Sequence, residues 1–580
     1  MPVIYKISFI AFFFFSMGES YGQQQVLLQQ DTSKVIQIIF ARSLRQITVD
    51  SGTVLQTLAG DARVKQGNTI LSGDSIVLNP QTGVAEVFGN VHVNDADSVH
   101  TYAQYLKYVG NDRIAYLKRS VKLTDGKAVL TTEDLEYNLA TGIATYKDGG
   151  RVVNGKTVLT SRDATYYSDT KDVFFKRDVH LVDPKYDMRA DSLRYNTEFK
   201  EAYFISQTHI ISKDGIIDTR SGTYNLETGE AVFLDRTVFR DSTHFMSGEK
   251  VAFDEKSGII QIERNGKFVD SVNNVIVLGD QLLINRKENS FLATRKPVMI
   301  FYRDNDSTYV AADTLFSGLR KYDAAETSIT GKTDSLITDS TGKFLSKTDS
   351  SRTGIADSLN SIIKPADSLV VNTVTDTLKN TTAININNTP KDSIRYFLGF
   401  HHVRIFNDSL QAVSDSMHYS TEDSTFKLFG NPIFWNDQTQ VKGDTMYLFT
   451  EDQKAKRLYV FFNGIVINKT KEGLYNQMGG RTINGFFKEG TIDYIRVKGS
   501  PAESIFYPQD DDSAYIGMNR SKGDVIDIYF VNKELNKIKF VNDVDGTLYP
   551  LKQVPADLKT LKNFQWLDAR RPKNKLELFE

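Results

Sequence analysis

Ala190-Asp191-Ser192-Leu193-Arg194-Tyr195 is the phrase that decides the fold, because versions of it recur along the chain. Each copy starts with a small residue, usually followed by an acidic one, and carries two apolar or aromatic residues spaced by one. A turn and a second alternating run follow, here Glu201-Ala202-Tyr203-Phe204. The small residues lie 29 to 33 positions apart, at Gly73, Ala103, Thr132, Ser161, Ala190, Thr219, Gly248, Gly279 and Ala312. Such a period predicts stacked repeats, each burying its apolar face against its neighbours.

The alternation inside each copy has a period of two, which predicts strands rather than helices. Turns such as Thr141-Gly142 and Thr228-Gly229 separate the runs, since glycine accepts a positive φ without steric cost. The same spacing returns near the C-terminus, where Ser414 and Gly443 are 29 apart. The sequence therefore predicts an all-β fold of two-strand repeats.

Composition changes divide the chain into five predicted regions. Residues 1–22 have the charged, apolar and small-residue parts of a signal peptide, with an uncleaved anchor as the alternative. Residues 45–318 hold the uninterrupted repeats. Residues 319–392 are rich in Ser, Thr, Asp and Asn, and predict a low-complexity disordered linker. Residues 393–552 predict a second β domain, and residues 553–580 a tail with a short helix.

Composition and motifs argue against several classes of function. Seventy basic side chains against 72 acidic ones give no electrostatic case for nucleic acid, and the absence of cysteine excludes thiolate chemistry. The eight histidines lack metal-site spacing; the pair His401-His402 is expected on opposite faces of a strand. No nucleophile elbow, phosphate loop or dinucleotide fingerprint is present. We therefore predict a non-enzyme without catalytic residues, metal or cofactor.

The apolar members of the phrase define a candidate binding face. They share strand parity from repeat to repeat, so they are expected to line one interior. Sheets packed tightly would make an inert structural rod, whereas splayed sheets would make an apolar groove for lipid chains, and composition favours neither. The candidate groove residues are Ile76, Leu78, Val87, Leu106, Tyr108, Leu135, Tyr137, Tyr146, Leu193, Tyr195, Phe204, Phe233, Val251, Phe253, Leu282 and Ile284.

Polar positions within the repeat have two interpretations each. The acidic position, as at Glu133 and Asp280, is expected to cap a corner through backbone N–H groups, and repeated calcium binding is the alternative. Basic pairs such as Lys118-Arg119 and Lys176-Arg177 are expected on a solvated face, with contact to lipid phosphates at the groove mouth as the alternative.

The repeats resemble the OstA/LptA family of lipopolysaccharide-transport (organic solvent tolerance) domains. Ala85-Glu86-Val87-Phe88 followed by Gly89-Asn90-Val91-His92-Val93 carries the resemblance best, and Ala190 to Tyr195 next. It covers residues 45–318 well and 396–470 less well, and is nearest to the LptA-like periplasmic members. The resemblance implies an elongated, open, antiparallel β-jellyroll that shields acyl chains, here in two blocks joined by the disordered linker.

The function expected from the resemblance is periplasmic lipopolysaccharide binding and transport to the outer membrane. Its implied partners are lipopolysaccharide and other transport components docked through open β edges, including copies of the chain head to tail. Peripheral or outer-membrane association is compatible with it. Two alternatives remain open: a structural or adhesive exported β-solenoid with a filled core, and a carbohydrate-active enzyme on a β-helix.

Overall fold

The computed structural model describes residues 36–49, 52–95, 97, 99–303, 306–321, 393–452, 454–510, 512 and 514–579. Within these ranges the regular structure is β-strand apart from four short 3₁₀ turns, which confirms the predicted all-β class. The chain divides into two compact units, residues 1–227 and 228–580. The predicted signal peptide, residues 1–22, lies outside the described residues.

The first unit contains strands that pair in antiparallel fashion. They are β1 (Gln37–Phe40), β2 (Ser43–Val49), β3 (Thr53–Gln66), β4 (Thr69–Asn79), β5 (Val84–Asp95), β6 (Val99–Val109), β7 (Ile114–Thr124), β8 (Ala128–Asn138), β9 (Ile143–Tyr146), β10 (Gly150–Asn154), β11 (Thr157–Ser161), β12 (Asp163–Tyr167), β13 (Asp172–Val182), β14 (Tyr186–Asn196), β15 (Glu201–Phe204), β16 (Thr208–Ser212), β17 (Gly215–Thr219) and β18 (Ser221–Asn225).

The second unit continues the same strand pattern and ends in the 3₁₀ turns. Its strands are β19 (Glu230–Arg240), β20 (His244–Asp254), β21 (Ile259–Asp270), β22 (Val275–Asn285), β23 (Ser290–Thr294), β24 (Val298–Arg303), β25 (Asp306–Ala311), β26 (Thr314–Lys321), β27 (Ser393–Phe406), β28 (Gln411–Ser420), β29 (Thr425–Phe429), β30 (Ile433–Asn436), β31 (Thr439–Lys442), β32 (Thr445–Glu451), β33 (Lys454–Lys469), β34 (Tyr475–Lys488), β35 (Thr491–Phe506), β36 (Met518–Val531), β37 (Glu534–Val541) and β38 (Asp545–Tyr549). The turns are Leu551–Gln553, Ala556–Leu558, Asp568–Arg570 and Lys575–Leu578.

Long strands change sheet at a two-residue corner. In β13 the pairing with β14 runs to Lys176 and resumes at Val179, and the intervening Arg177 and Asp178 have φ of 60° and 53°. Two consecutive left-handed residues redirect the strand, as a β-bulge does. The strands of each unit belong to one hydrogen-bonded sheet, and each long strand contributes one half to each side of its bend. In the first unit we call the half-sheet with Leu193 sheet A, and the half-sheet with Leu181 sheet B.

Acidic side chains hold these corners. The backbone N–H of Ser120 donates to Glu133 (3.2 Å), and that of Asn265 donates to Asp280 (3.2 Å). These bonds offset the roughly 1–2 kcal/mol that a non-glycine residue loses in the left-handed region. The corner interpretation of the acidic position is thereby confirmed at Glu133 and Asp280, whereas Asp74 and Asp444 accept from the side chains of the corner residues Asn90 and Asn463.

Corners also explain two sets of basic residues. Arg119 and Arg177 both have positive φ at a corner, and Arg177 donates to Asp163. His401 and His402 form the corner of β27 with φ of 58° and 51°, and their rings contact Asp415 and Asp313. The expectation that they alternate along a strand was wrong, because both occupy the bend.

The predicted linker interrupts a sheet that continues across it. Residues 319–321 end β26, and residues 322–392 lie outside the described residues. β26 pairs with β27 from Thr314↔Phe400 to Lys321↔Ser393. The register residues Ala312 and Ser414 are 102 positions apart, and residues 322–392 account for 71 of these positions. The remaining 31 positions correspond to the length of one repeat. The pairing of β26 with β27 differs from the expected division into two β blocks joined by a linker. The change in composition instead marks an insertion between two neighbouring strands.

The C-terminal tail packs onto the second unit. Leu561 lies buried among Ile465, Ile467, Ile505 and Met518. Leu567 and Leu578 each cover a further cluster of buried residues, the latter around Val298 and Ala311. Residues 553–579 form several short 3₁₀ helices and no α-helix, whereas a single short helix followed by irregular chain was expected. The tail follows the apolar surface in single 3₁₀ turns because its contacts are spread over many strands.

Candidate functional site: the interior between the sheets

Apolar side chains of sheet A face one another across neighbouring strands. Their Cα partners form an unbroken row through the first unit: Leu58, Ile76, Val87, Leu106, Leu117, Leu135, Tyr146, Ala164, Phe175, Leu193 and Phe204. All of them are buried. Directly opposed side chains on one face are the unit of sheet stabilisation, so the row forms one continuous apolar stripe.

The structure places fifteen of the sixteen predicted groove residues in the buried interior. In the first unit these are Ile76, Leu78, Val87, Leu106, Tyr108, Leu135, Tyr137, Tyr146, Leu193, Tyr195 and Phe204. In the second they are Phe233, Val251, Leu282 and Ile284. Phe253 has the same parity but is only half-buried, since β20 ends one residue later at Asp254.

A row of tyrosines lies next to this stripe, nearer the hairpin turns. Its members are 29 residues apart and are Tyr108, Tyr137, Tyr166, Tyr195 and Tyr224. Each stands opposite an alanine on at least one neighbouring strand, and Tyr137 does so on both sides, between Ala115 and Ala144. Large and small side chains interdigitate in this way. Burial raises the pKa of Tyr195 to about 12, so its hydroxyl stays protonated at neutral pH.

Two of the tyrosine hydroxyls reach across to sheet B. Tyr108 donates to Gln66 at 2.5 Å, at the end of β3. Burial, with the charge and hydrogen bond of Asp95 at the end of β5, raises the pKa of Tyr137 to about 12. These polar contacts lie between hairpin turns of the two sheets. They close the side of the interior that faces away from the corners.

The phrase-based prediction missed the residues that sheet B contributes. Their row of direct Cα partners is Val64, Leu71, Val93, Thr101, Leu123, Leu130, Val152, Leu159, Leu181, Met188 and Ile210. The signal was present in the sequence. In β13 the alternation of Val173 and Phe175 continues at Val179 and Leu181 beyond the corner.

Polar groups in the described ranges do not assemble into a metal site. No three His, Cys, Asp or Glu side chains there lie together as metal ligands would. No helix in the same ranges has the length and apolar character needed to span a membrane. The interior is therefore the feature that carries the functional argument.

Sequence comparison identifies one known domain. The sequence model of a family described as OstA-like protein matches residues 34–191, which run from before β1 into β14. No curated protein matches the chain. The chain therefore carries an OstA-like domain in residues 34–191, and its resemblance to the OstA/LptA family is confirmed for that segment.

Proposed function

We propose that the chain binds lipopolysaccharide in the periplasm and shields its acyl chains between the two sheets during transfer to the outer membrane. The observation that carries the proposal is the pair of facing apolar rows. Each methylene group taken from water contributes about 0.8 kcal/mol, so a continuous stripe can hold a lipid without a specific pocket. The OstA-like domain supports the proposal, because that family is associated with lipopolysaccharide transport.

Uniform walls favour movement as well as binding. Along the row in sheet A, the side chains are aliphatic or aromatic and carry no charge. A lipid chain would therefore meet similar contacts at successive repeats. Similar affinity along the path allows a ligand to slide rather than remain at one position.

Exposed strand edges support docking to other transport components. β1 and β2 pair with β3 in the described residues, and their residues are exposed throughout. Apolar side chains on them include Ile39 (50% exposed) and Leu44 (59% exposed). Unpaired edges with apolar side chains favour addition of a strand from another chain. We propose that this edge receives a transport partner or a second copy of the chain.

A filled-core structural solenoid is the second candidate. Mutual burial of the interior side chains, with Ile76, Leu106 and Ala202 at 0% exposure, is the observation that favours it. Such a protein would bind no lipid. The two candidates therefore differ in a single measurable property.

Binding of purified lipopolysaccharide to the full chain separates the candidates. Phe233→Asp should abolish binding, since Phe233 is 2% exposed and faces the interior. Val232→Asp is the matched control, because Val232 is its outward-facing neighbour and 39% exposed. Equal binding by the two variants, or no binding by the wild-type chain, would contradict the proposal.

A further inference from the structure

We propose that the first unit contains a lateral portal through which a single hydrocarbon chain enters the interior. The portal lies between Leu123, Leu130 and Val152 of sheet B and Tyr146 and Tyr166 of sheet A. The inference rests on the proposed lipid-binding function and adds to it the place where the lipid crosses the wall.

Along the inner row of sheet B, between Val64 and Ile210, the side chains become exposed to solvent at one place only among the described residues. On one side Leu71 and Val93 are 4% and 2% exposed, and on the other Leu159 and Leu181 are 4% and 1% exposed. Leu123, Leu130 and Val152, which stand between them as direct Cα partners, are half-buried. Solvent therefore reaches inward-facing apolar side chains in this section of the wall.

The tyrosine row opens at the same level. Tyr108 and Tyr137 are closed by Gln66 and Asp95, as described above. Tyr166 is half-buried, and its hydroxyl has no hydrogen-bond partner among the described residues. The next tyrosine in the row, Tyr195, is buried again. The closure of this side of the interior is thus interrupted at Tyr166.

A cavity lies behind this interruption. Its volume is about 70 Å³, and its lining includes Leu130, Tyr146, Val152 and Ala164. The strand is interrupted at this level, since β9 ends at Tyr146 and β10 begins at Gly150; a break of the same length separates β15 from β16.

The size and lining of the cavity select its occupant. Apolar side chains predominate, and Asp125 lies with Thr197 among the polar residues of the lining. A charged headgroup would lose its hydration without gaining a cationic partner in that lining. A single saturated chain replaces water against leucine, valine and aromatic surfaces, and its headgroup stays outside.

Filling the portal tests the inference by kinetics. With cis-parinaric acid as the probe, Val152→Trp should slow loading about tenfold, equivalent to about 1.4 kcal/mol in the barrier. The amount bound at equilibrium should fall far less, because the remaining interior is intact. Val153→Trp is the matched control on the outward face of β10 and should load at the wild-type rate. Loading of Val152→Trp at the wild-type rate would overturn the portal and leave lipid binding standing.

Cysteine labelling gives a second test that tolerates failure of the tryptophan variant to fold. The chain has no cysteine, so Leu130→Cys provides a single reactive thiol at the portal. A maleimide should modify it readily, and saturating cis-parinaric acid should protect it. Leu181→Cys, at a position 1% exposed, should react slowly with or without the probe. Reaction of Leu130→Cys at an unchanged rate while the probe is bound would refute the portal, whereas absence of probe binding would refute the lipid function itself.

Discussion

Phe204→Ala tests whether the interior accepts lipid or only packs against itself. The ring is 2% exposed and stands directly opposite Leu193. Its removal leaves a cavity, so the free energy of unfolding should fall by about 3–5 kcal/mol. Ile205→Ala is the matched control, because Ile205 is the next residue and 52% exposed; its cost should stay within about 0.5 kcal/mol.

Lipopolysaccharide should then recover part of that loss. An acyl chain that enters the new cavity with three or four methylene groups would return about 2.4–3.2 kcal/mol, at about 0.8 kcal/mol for each. Denaturant unfolding with and without purified lipopolysaccharide measures both quantities. The lipid should stabilise Phe204→Ala more than the wild-type chain. Equal stabilisation of the two proteins would refute the reasoning and favour a filled core.

Three further predictions concern the frame around the interior. Leu561→Ala should lower the unfolding free energy of the second unit by about 2–5 kcal/mol in denaturant titration, whereas Leu576→Ala, at a position 67% exposed, should have little effect. Asp527→Asn should lower the unfolding free energy by about 1.5–3 kcal/mol at pH 7, because Arg496 and Tyr494 donate hydrogen bonds to the Asp527 carboxylate. These bonds lower the pKa of Asp527 below 3.8, so the ionised carboxylate stabilises the fold above that pH. The difference in unfolding free energy between variant and wild type should therefore shrink as the pH falls below about 4. The corner residue Arg119 has a φ of 66°, so Arg119→Gly should leave the free energy of unfolding equal or higher. Arg119→Val should lower that free energy by about 1 kcal/mol or more, as thermal unfolding would measure.

The sequence was sufficient to predict the strands and the inward face. Alternation with period two assigns Leu193 and Tyr195 to one face, and the structure buries both. Local chemistry also predicted the acidic caps, as at Glu133. These features depend on neighbours in the chain, so a single copy of the repeat contains the information.

Other features depend on contacts between distant residues. The pairing of β26 with β27 brings Lys321 beside Ser393 across 71 intervening positions, and composition alone could not distinguish an insertion from a boundary. The half-burial of Leu130 depends on which side chains lie opposite it across the interior, and the repeat phrase does not encode them. Likewise the tail at Leu561 is held by strands about 45 to 95 residues away in the sequence.

Photo-crosslinking to lipopolysaccharide in living cells tests the central claim most directly. A benzoylphenylalanine placed at Phe204 would face the interior, and one at Ile205 would face outward on the same chain. We predict a lipopolysaccharide adduct at position 204 and none at 205. Absence of an adduct at 204, or adducts of equal yield at both positions, would contradict the claim that acyl chains travel between the two sheets.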